Sequence, residues 1–122
     1  MQPHVVFTEN AQALGVQISE QIMCDSWCPG PVSVQVNVYN VTGSPTPVVY
    51  TVQSTLDDPN DPASPVPAGF ETWFNCHDIN MVNGIAPAQT YYAAAPRYIR
   101  LVQISGDGIA QLTVSQNGAI CS

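Results

Sequence analysis

Four cysteines, two histidines and one tight run of carboxylates are the side chains here that could bind a metal or drive a reaction. Cys24 and Cys28 are spaced as C-x3-C, and Cys76 is followed directly by His77. Zinc takes thiolate and imidazole donors, so Cys24, Cys28, Cys76 and His77 are the set from which a four-coordinate site could be drawn. Against that set, Cys76 and His77 are adjacent, and adjacent side chains on a strand project to opposite faces. Buried, inert thiols account for the same residues. Cys24 and Cys28, the pair nearest in sequence, form the candidate disulfide. No metal or cofactor is assigned.

Nucleophilic catalysis would need a Cys or Ser beside His4 or His77, with an acid to orient the imidazole. Cys76-His77-Asp78 supplies the types, but triads converge in space from separate elements rather than from consecutive residues. No G-x-S-x-G elbow, P-loop or H-E-x-x-H occurs. The reading is non-enzymatic. Asp57-Asp58-Pro59-Asn60-Asp61 gathers oxygen ligands of the kind calcium takes, without the EF-hand order and with prolines restricting the wrap. An Asx-type turn closing a strand explains it better.

Arg97 and Arg100 are the only cations in the chain. Three apart on a strand, they face opposite sides, and one that turned inward would need Asp57, Asp58 or Glu71 as partner, because an unpaired buried charge is very costly. An internal charge lock between the acidic turn and the arginine pair is the expectation. Trp73, after the proline-rich loop, is expected to close the core in preference to serving as a sugar-stacking platform. Asn40-Val41-Thr42 has the form of a glycosylation sequon and reads as a turn.

The elements that must hold these residues follow from composition and period. One domain of 122 residues is long enough for a single core. Charged residues make up 9%, against about a quarter in average chains, while Ser, Thr, Asn and Gln number 35, so the surface is largely neutral and polar. A net charge of −7 repels phosphate backbones and anionic membranes, which excludes nucleic acid and membrane surfaces as partners. Charge depletion is also what interface cores require. Residues 1–8 show neither the basic start nor the apolar run of a signal peptide, so reduced thiols are expected.

Period-two alternation dominates. Val32, Val34, Val36 and Val38 point one way and Ser33, Gln35, Asn37 and Tyr39 the other. Leu14, Val16 and Ile18 alternate with Gly15, Gln17 and Ser19, and Tyr50 and Val52 with Thr51 and Gln53. Tyr98, Arg100, Val102 and Ile104 share a face, while Ala110, Leu112 and Val114 alternate with Gln111, Thr113 and Ser115. Thr42-Gly43-Ser44-Pro45 and Ser105-Gly106-Asp107-Gly108 read as hairpin connections, and the prolines of residues 57–69 make that stretch a loop. About eight short strands without a helical pattern predict an all-β, single-domain antiparallel β-sandwich, jelly-roll-like.

Tyr50-Thr51-Val52-Gln53-Ser54-Thr55-Leu56-Asp57-Asp58-Pro59, then Thr72-Trp73-Phe74-Asn75, then Ala95-Pro96-Arg97-Tyr98-Ile99-Arg100-Leu101, ending in Ala110-Gln111-Leu112-Thr113-Val114-Ser115-Gln116, occur in that order. Over roughly residues 32–118 the chain resembles a set of small virion proteins of tailed bacteriophages. The resemblance implies a capsid cement or decoration protein, made in the host cytoplasm and carried on the outer surface of the head. Its implied partners are the major capsid protein and further copies of itself, as dimer or trimer. Other roles open to the same sandwich are a tail, neck or fibre-attachment component, or a glycan-binding module displayed on the capsid. The segment Cys24-Asp25-Ser26-Trp27-Cys28-Pro29 departs from that set. Expected contact elements are an extended N-terminal arm over residues 1–10, the 57–69 loop and segment 78–95, with Tyr91 and Tyr92 as aromatic anchors.

Overall fold

A computed structural model describes residues 4–9, 11, 15–24, 31–43, 46–56, 72–93 and 96–116. Among them are nine strands: β1 (His4–Glu9), β2 (Gln17–Ile18), β3 (Ile22–Met23), β4 (Val32–Tyr39), β5 (Val49–Thr55), β6 (Phe74–Asn75), β7 (Ala88–Tyr92), β8 (Tyr98–Ser105) and β9 (Ile109–Gln116). A 3-10 turn at Ile79–Met81 lies between β6 and β7. No helix among the described residues is long and apolar enough to cross a membrane.

Two antiparallel sheets form the sandwich. The first has the order β1-β9-β4-β7. In the second β8 lies between β5 and the β2/β3 position, with β6 outside β5. The pairs β1 with β9, β2/β3 with β8, β4 with β7 and β5 with β6 nest inside one another along the chain, as in one long folded ribbon. The ribbon then wraps so that β9 meets β4 and β8 meets β5. That nested, wrapped pairing is the jelly-roll-like sandwich predicted from the alternation. β2 and β3 fill one strand position, interrupted by a bulge. Ser19 donates its N–H to the Leu101 carbonyl (2.8 Å) while its hydroxyl accepts from the Leu101 N–H (2.8 Å), standing in for a ladder carbonyl.

The core is formed by Val32, Val34 and Val36 of β4 and Ala110, Leu112 and Val114 of β9, facing Tyr50, Val52, Ile99 and Leu101 of the second sheet. Valine alternation orients β4 as predicted. In β2 and β8 the apolar residues are split between faces. Val16 and Ile18 are exposed while Ser19 is buried, and the fully buried side of β8 is Ile99, Leu101 and Gln103, opposite Arg100. Two further expectations are corrected. Residues 4–9 are no free arm, because they pair along their whole length with β9. The β4–β5 connection, in which Ser44 and Pro45 lie outside the described residues, and the 105–108 turn are not hairpins: β4 and β5, like β8 and β9, lie in different sheets.

The β8–β9 crossing is held by Gln103, whose side chain is completely buried. Its Nε2 donates to the carbonyls of Gly106 and Gly108 (3.1 Å each), and its Oε1 accepts from the Thr8 hydroxyl of β1 (2.9 Å). Gly106 sits at φ +100, where a Cβ would come within 2.5 Å of the Val48 Cα, so the turn packs backbone against the start of β5. Val48 in turn donates its N–H to Asn40 Oδ1 (2.9 Å). One amide thus links β1, β8 and a turn that lies against the β4–β5 crossing.

Gln103→Leu removes all three hydrogen bonds and leaves two buried carbonyls and a hydroxyl without them, an expected loss of about 2–4 kcal/mol. Thr8→Val frees only one oxygen and is expected to cost about 1 kcal/mol. Urea unfolding of both variants checks the order; equal losses would show that the turn carbonyls do not depend on Gln103.

Candidate interaction surface

Among the described residues that could do chemistry, the two thiols are buried, while His4 and His77 are exposed. Cys24 and Cys76 are free thiols inside the core. Cys24 continues the inward-facing position of Ile22 in β3 and donates its N–H to the Arg97 carbonyl (2.9 Å), and Cys76, just past the exposed β6, donates its N–H to the Val52 carbonyl (2.8 Å). The candidate disulfide is not formed at Cys24, and Cys28 lies outside the described residues. His77 turns away from Cys76 to meet the Tyr92 ring edge-on at 5.1 Å, with Nδ1 no nearer than 4.0 Å to the Cys76 sulfur. Among the described residues no group of three or more His, Cys, Asp and Glu is placed to hold a metal ion. Burial pushes the Cys24 thiol up to about 11, partly opposed by the Arg97 charge. It also raises the Tyr92 phenol, which lies near Cys76 and Ser54 without a well-formed hydrogen bond to either. A thiol that holds its proton as Cys24 does is a poor nucleophile and a poor metal ligand.

Arg100 lies on the outward face of β8, its guanidinium 4.0 Å from the Trp73 ring centroid and its Nε donating to Gln53 Oε1 (2.9 Å). Gln53 Nε2 continues the row to Asn75 Oδ1 (3.2 Å). Arg97 packs 5.9 Å from the Tyr98 ring centroid just before β8. Both are half-buried, so neither is an enclosed charge. Asp57, Asp58 and Glu71, the acids of the expected charge lock, lie outside the described residues. Trp73 does not close the core. It is half-buried beside the outward row, because Cys76 holds the inward position and Trp73 has the opposite parity. One face of its ring is covered by Arg100, which removes half of the platform a stacked sugar would need.

Two surfaces carry few charges and expose aromatic or aliphatic side chains among neutral polar ones. The outward face of β1-β9-β4-β7 is a grid set by the registers: Gln89, Gln35, Thr113 and Val5 in one row, and Tyr91, Ser33 and Ser115 beside it. Asn37, Gln111 and Phe7 form the next row on the other side, then Tyr39, Ile109 and Glu9. Its only charge is Glu9, at a corner, and Phe7 (58%) and Tyr91 (61%) are well exposed on it. Tyr92, expected as a second interface aromatic, alternates inward to the thiol cluster.

Adjoining β7 is the 78–87 connection, which is rigid and apolar at once. The Asp78 carboxylate accepts from the Asn80 N–H (3.0 Å), and this bond, with the Thr90 hydroxyl, holds its pKa below the ordinary carboxylate value. Tyr50 and Gly84 exchange backbone hydrogen bonds (3.0 and 2.8 Å), and the Tyr50 hydroxyl donates to the Ala86 carbonyl (2.7 Å). A Cβ at Gly84 would lie 2.8 Å from the Tyr50 ring, so only glycine permits the contact. Met81 is completely buried below, while Ile79 (83%) and Ile85 (63%) project outward beside a concavity of about 430 Å³. No family model, curated protein or solved structure matches the chain.

Sequence reasoning missed Gln103, Tyr50, Ile79 and Ile85. Gln103 was visible as the one amide in the register of Ile99 and Leu101. The isoleucines have no periodic context to mark them.

Stability is expected to fall as pH rises from 9.0, the thiol's ordinary pKa, towards 11, because the folded state holds the Cys24 proton more tightly than the unfolded state does. Cys24→Ala should flatten part of that decline, on the order of 2 kcal/mol, with raised Tyr50 and Tyr92 leaving a residual slope. Denaturant midpoints from pH 8 to about 11 measure it. Parallel profiles for parent and variant would contradict the assignment.

Proposed function

We propose that this chain is a non-enzymatic structural protein of a tailed-phage virion, of the capsid cement or decoration type. It binds the outside of the head and bridges neighbouring major capsid subunits. The observation that carries the reading is the outer face of β1-β9-β4-β7, whose one charge among the described residues is Glu9 at a corner, continued at β7 by the Ile79–Ile85 knob. Desolvating such a surface costs few charges, and among its neutral polar residues Phe7, Tyr39 and Tyr91 expose aromatic groups of the kind interface cores use. The order of the motifs that resemble virion proteins and the sandwich fold support that class.

Size favours a lattice over a lone partner. Four strands spaced about 4.8 Å apart and some seven residues long give a face of about 400–450 Å². A standard interface buries roughly 800 Å² on each side. One such face is too small for a tight isolated pair, but repeated contacts across a lattice gain from effective concentration. The two described thiols lie inside the sandwich and the arginines on or beside β8 of the other sheet, so adhesion is left to shape and mostly neutral area.

Purified protein added to expanded heads lacking it should bind to a saturating copy number that follows the capsid lattice, and should raise the temperature at which DNA is released. Tyr91→Lys and Ile85→Lys alter exposed positions only and should each weaken binding at least tenfold, about 1.4 kcal/mol, with unchanged folding. Saturation at one copy per six- or twelvefold vertex would indicate a tail or neck component instead. Heads that retain DNA equally well with and without the protein would remove the cement role.

A further inference from the structure

We propose that two copies of this chain pair through the β1 edge, antiparallel and about a two-fold axis at Val6, to make one continuous sheet. The inference rests on how the four sheet edges are treated. A strand edge carries unpaired N–H and C=O groups, and proteins usually guard it with lysine, proline, a bulge, shortness or an inward-pointing charge. This chain has no lysine. In the second sheet, β6 is two residues long and the opposite edge is broken at Ser19 between β2 and β3. At β7 the Asp78 carboxylate engages the Thr90 hydroxyl, placing a negative charge against the edge. β1 has none of these among the described residues. It is six residues long, pairs without interruption with β9, and contains no proline or bulge; its one carboxylate, Glu9, is at the end.

The register follows from parity. Val5, Phe7 and Glu9 face outward and His4, Val6 and Thr8 face the sandwich interior, so two β1 strands keep both faces in common only if the numbers of paired residues sum to an even value. A sum of 14 sets each Glu9 against a Val5 and desolvates a carboxylate. A sum of 12 sets Val6 against Val6, each Phe7 against the other copy's Val5, and each His4 against Thr8. That register joins the exposed Val5 (43%) and Phe7 (58%) of both copies into one apolar cluster and leaves Glu9 outside it. Such an arrangement is isologous and closed, so it stops at two. Thr8, held by Gln103, keeps the strand in place before pairing.

The pairing does not depend on the capsid reading, and its test needs no capsid. Light scattering after gel filtration of the full chain should give twice the chain mass. Phe7→Lys, at an exposed position, should weaken the dimer at least tenfold, whereas Tyr91→Lys on the opposite edge should leave it intact. Val6→Cys puts thiols opposite each other across the axis, at the 4.5–5.5 Å Cα separation of facing antiparallel residues, which a disulfide spans. Mild oxidation with oxidised glutathione should therefore crosslink Val6→Cys and not the parent, and Phe7→Lys should abolish that crosslink. A parent that is monomeric at about 100 μM, a range where even weak pairs form, would overturn the proposal. So would a dimer that resists Phe7→Lys, one that yields to Tyr91→Lys, or a Val6→Cys dimer that fails to crosslink.

Discussion

Buried polar satisfaction at one corner sets the architecture. Each crossing between sheets has to bring backbone carbonyls close to the core, where an unsatisfied carbonyl costs as much as a lost hydrogen bond. The β8–β9 turn solves this with the Gln103 amide, which answers two turn carbonyls and one hydroxyl from β1 in a place with no water-facing surface. An amide can do this because it donates twice and accepts at the same time. The consequence is topological. With the turn held inward, β9 continues in the opposite sheet instead of folding back on β8, and β1 is fixed to β9 at Thr8.

Charge is arranged around the same sandwich in an uneven way. Both cations lie on or beside β8, where Arg100 has a π-face and an amide to neutralise its cost, and Arg97 lies near the Cys24 thiol. The outward face of the first sheet receives neither. Tyr39 and Gln111 hydrogen-bond along it (3.0 Å), so even its polar groups are partly satisfied within the grid. A surface whose hydrogen-bonding needs are met locally loses less on desolvation than one bearing free charges.

Alternation made the fold class legible because a two-residue period has only two phases, and in β4 every valine shares one of them. Orientation was legible only where polar and apolar residues separated cleanly. In β8 both faces carry large apolar side chains, Tyr98 and Val102 on one and Ile99 and Leu101 on the other, so the period is present but its phase is not readable. The turns misled for a related reason. Gly106 with Gly108 satisfies hairpin chemistry, and whether the chain folds back or crosses depends on Gln103, three residues earlier and through space. The Trp73 environment was hidden because its partner, Arg100, is contributed by a strand more than twenty residues on. The charge lock involves Asp57 and Asp58, outside the described residues, and remains a reading of the sequence.

Lysine depletion and edge protection are two sides of one constraint. A chain without lysine lacks one of the commonest means of guarding a sheet edge. The structure substitutes local devices where it can: a serine-filled bulge on β2/β3, a truncated β6, and Asp78 beside β7. Each device also does structural duty, the bulge by satisfying Leu101 and Asp78 by capping the 3-10 turn that presents Ile79. β1 has no neighbouring connection among the described residues to supply such a group, and its outward residues are Val5 and Phe7 rather than polar ones. An apolar six-residue edge with no such device among the described residues is open to pairing, and the proposed second copy of the same edge would cover it while leaving the sheet's outer face free.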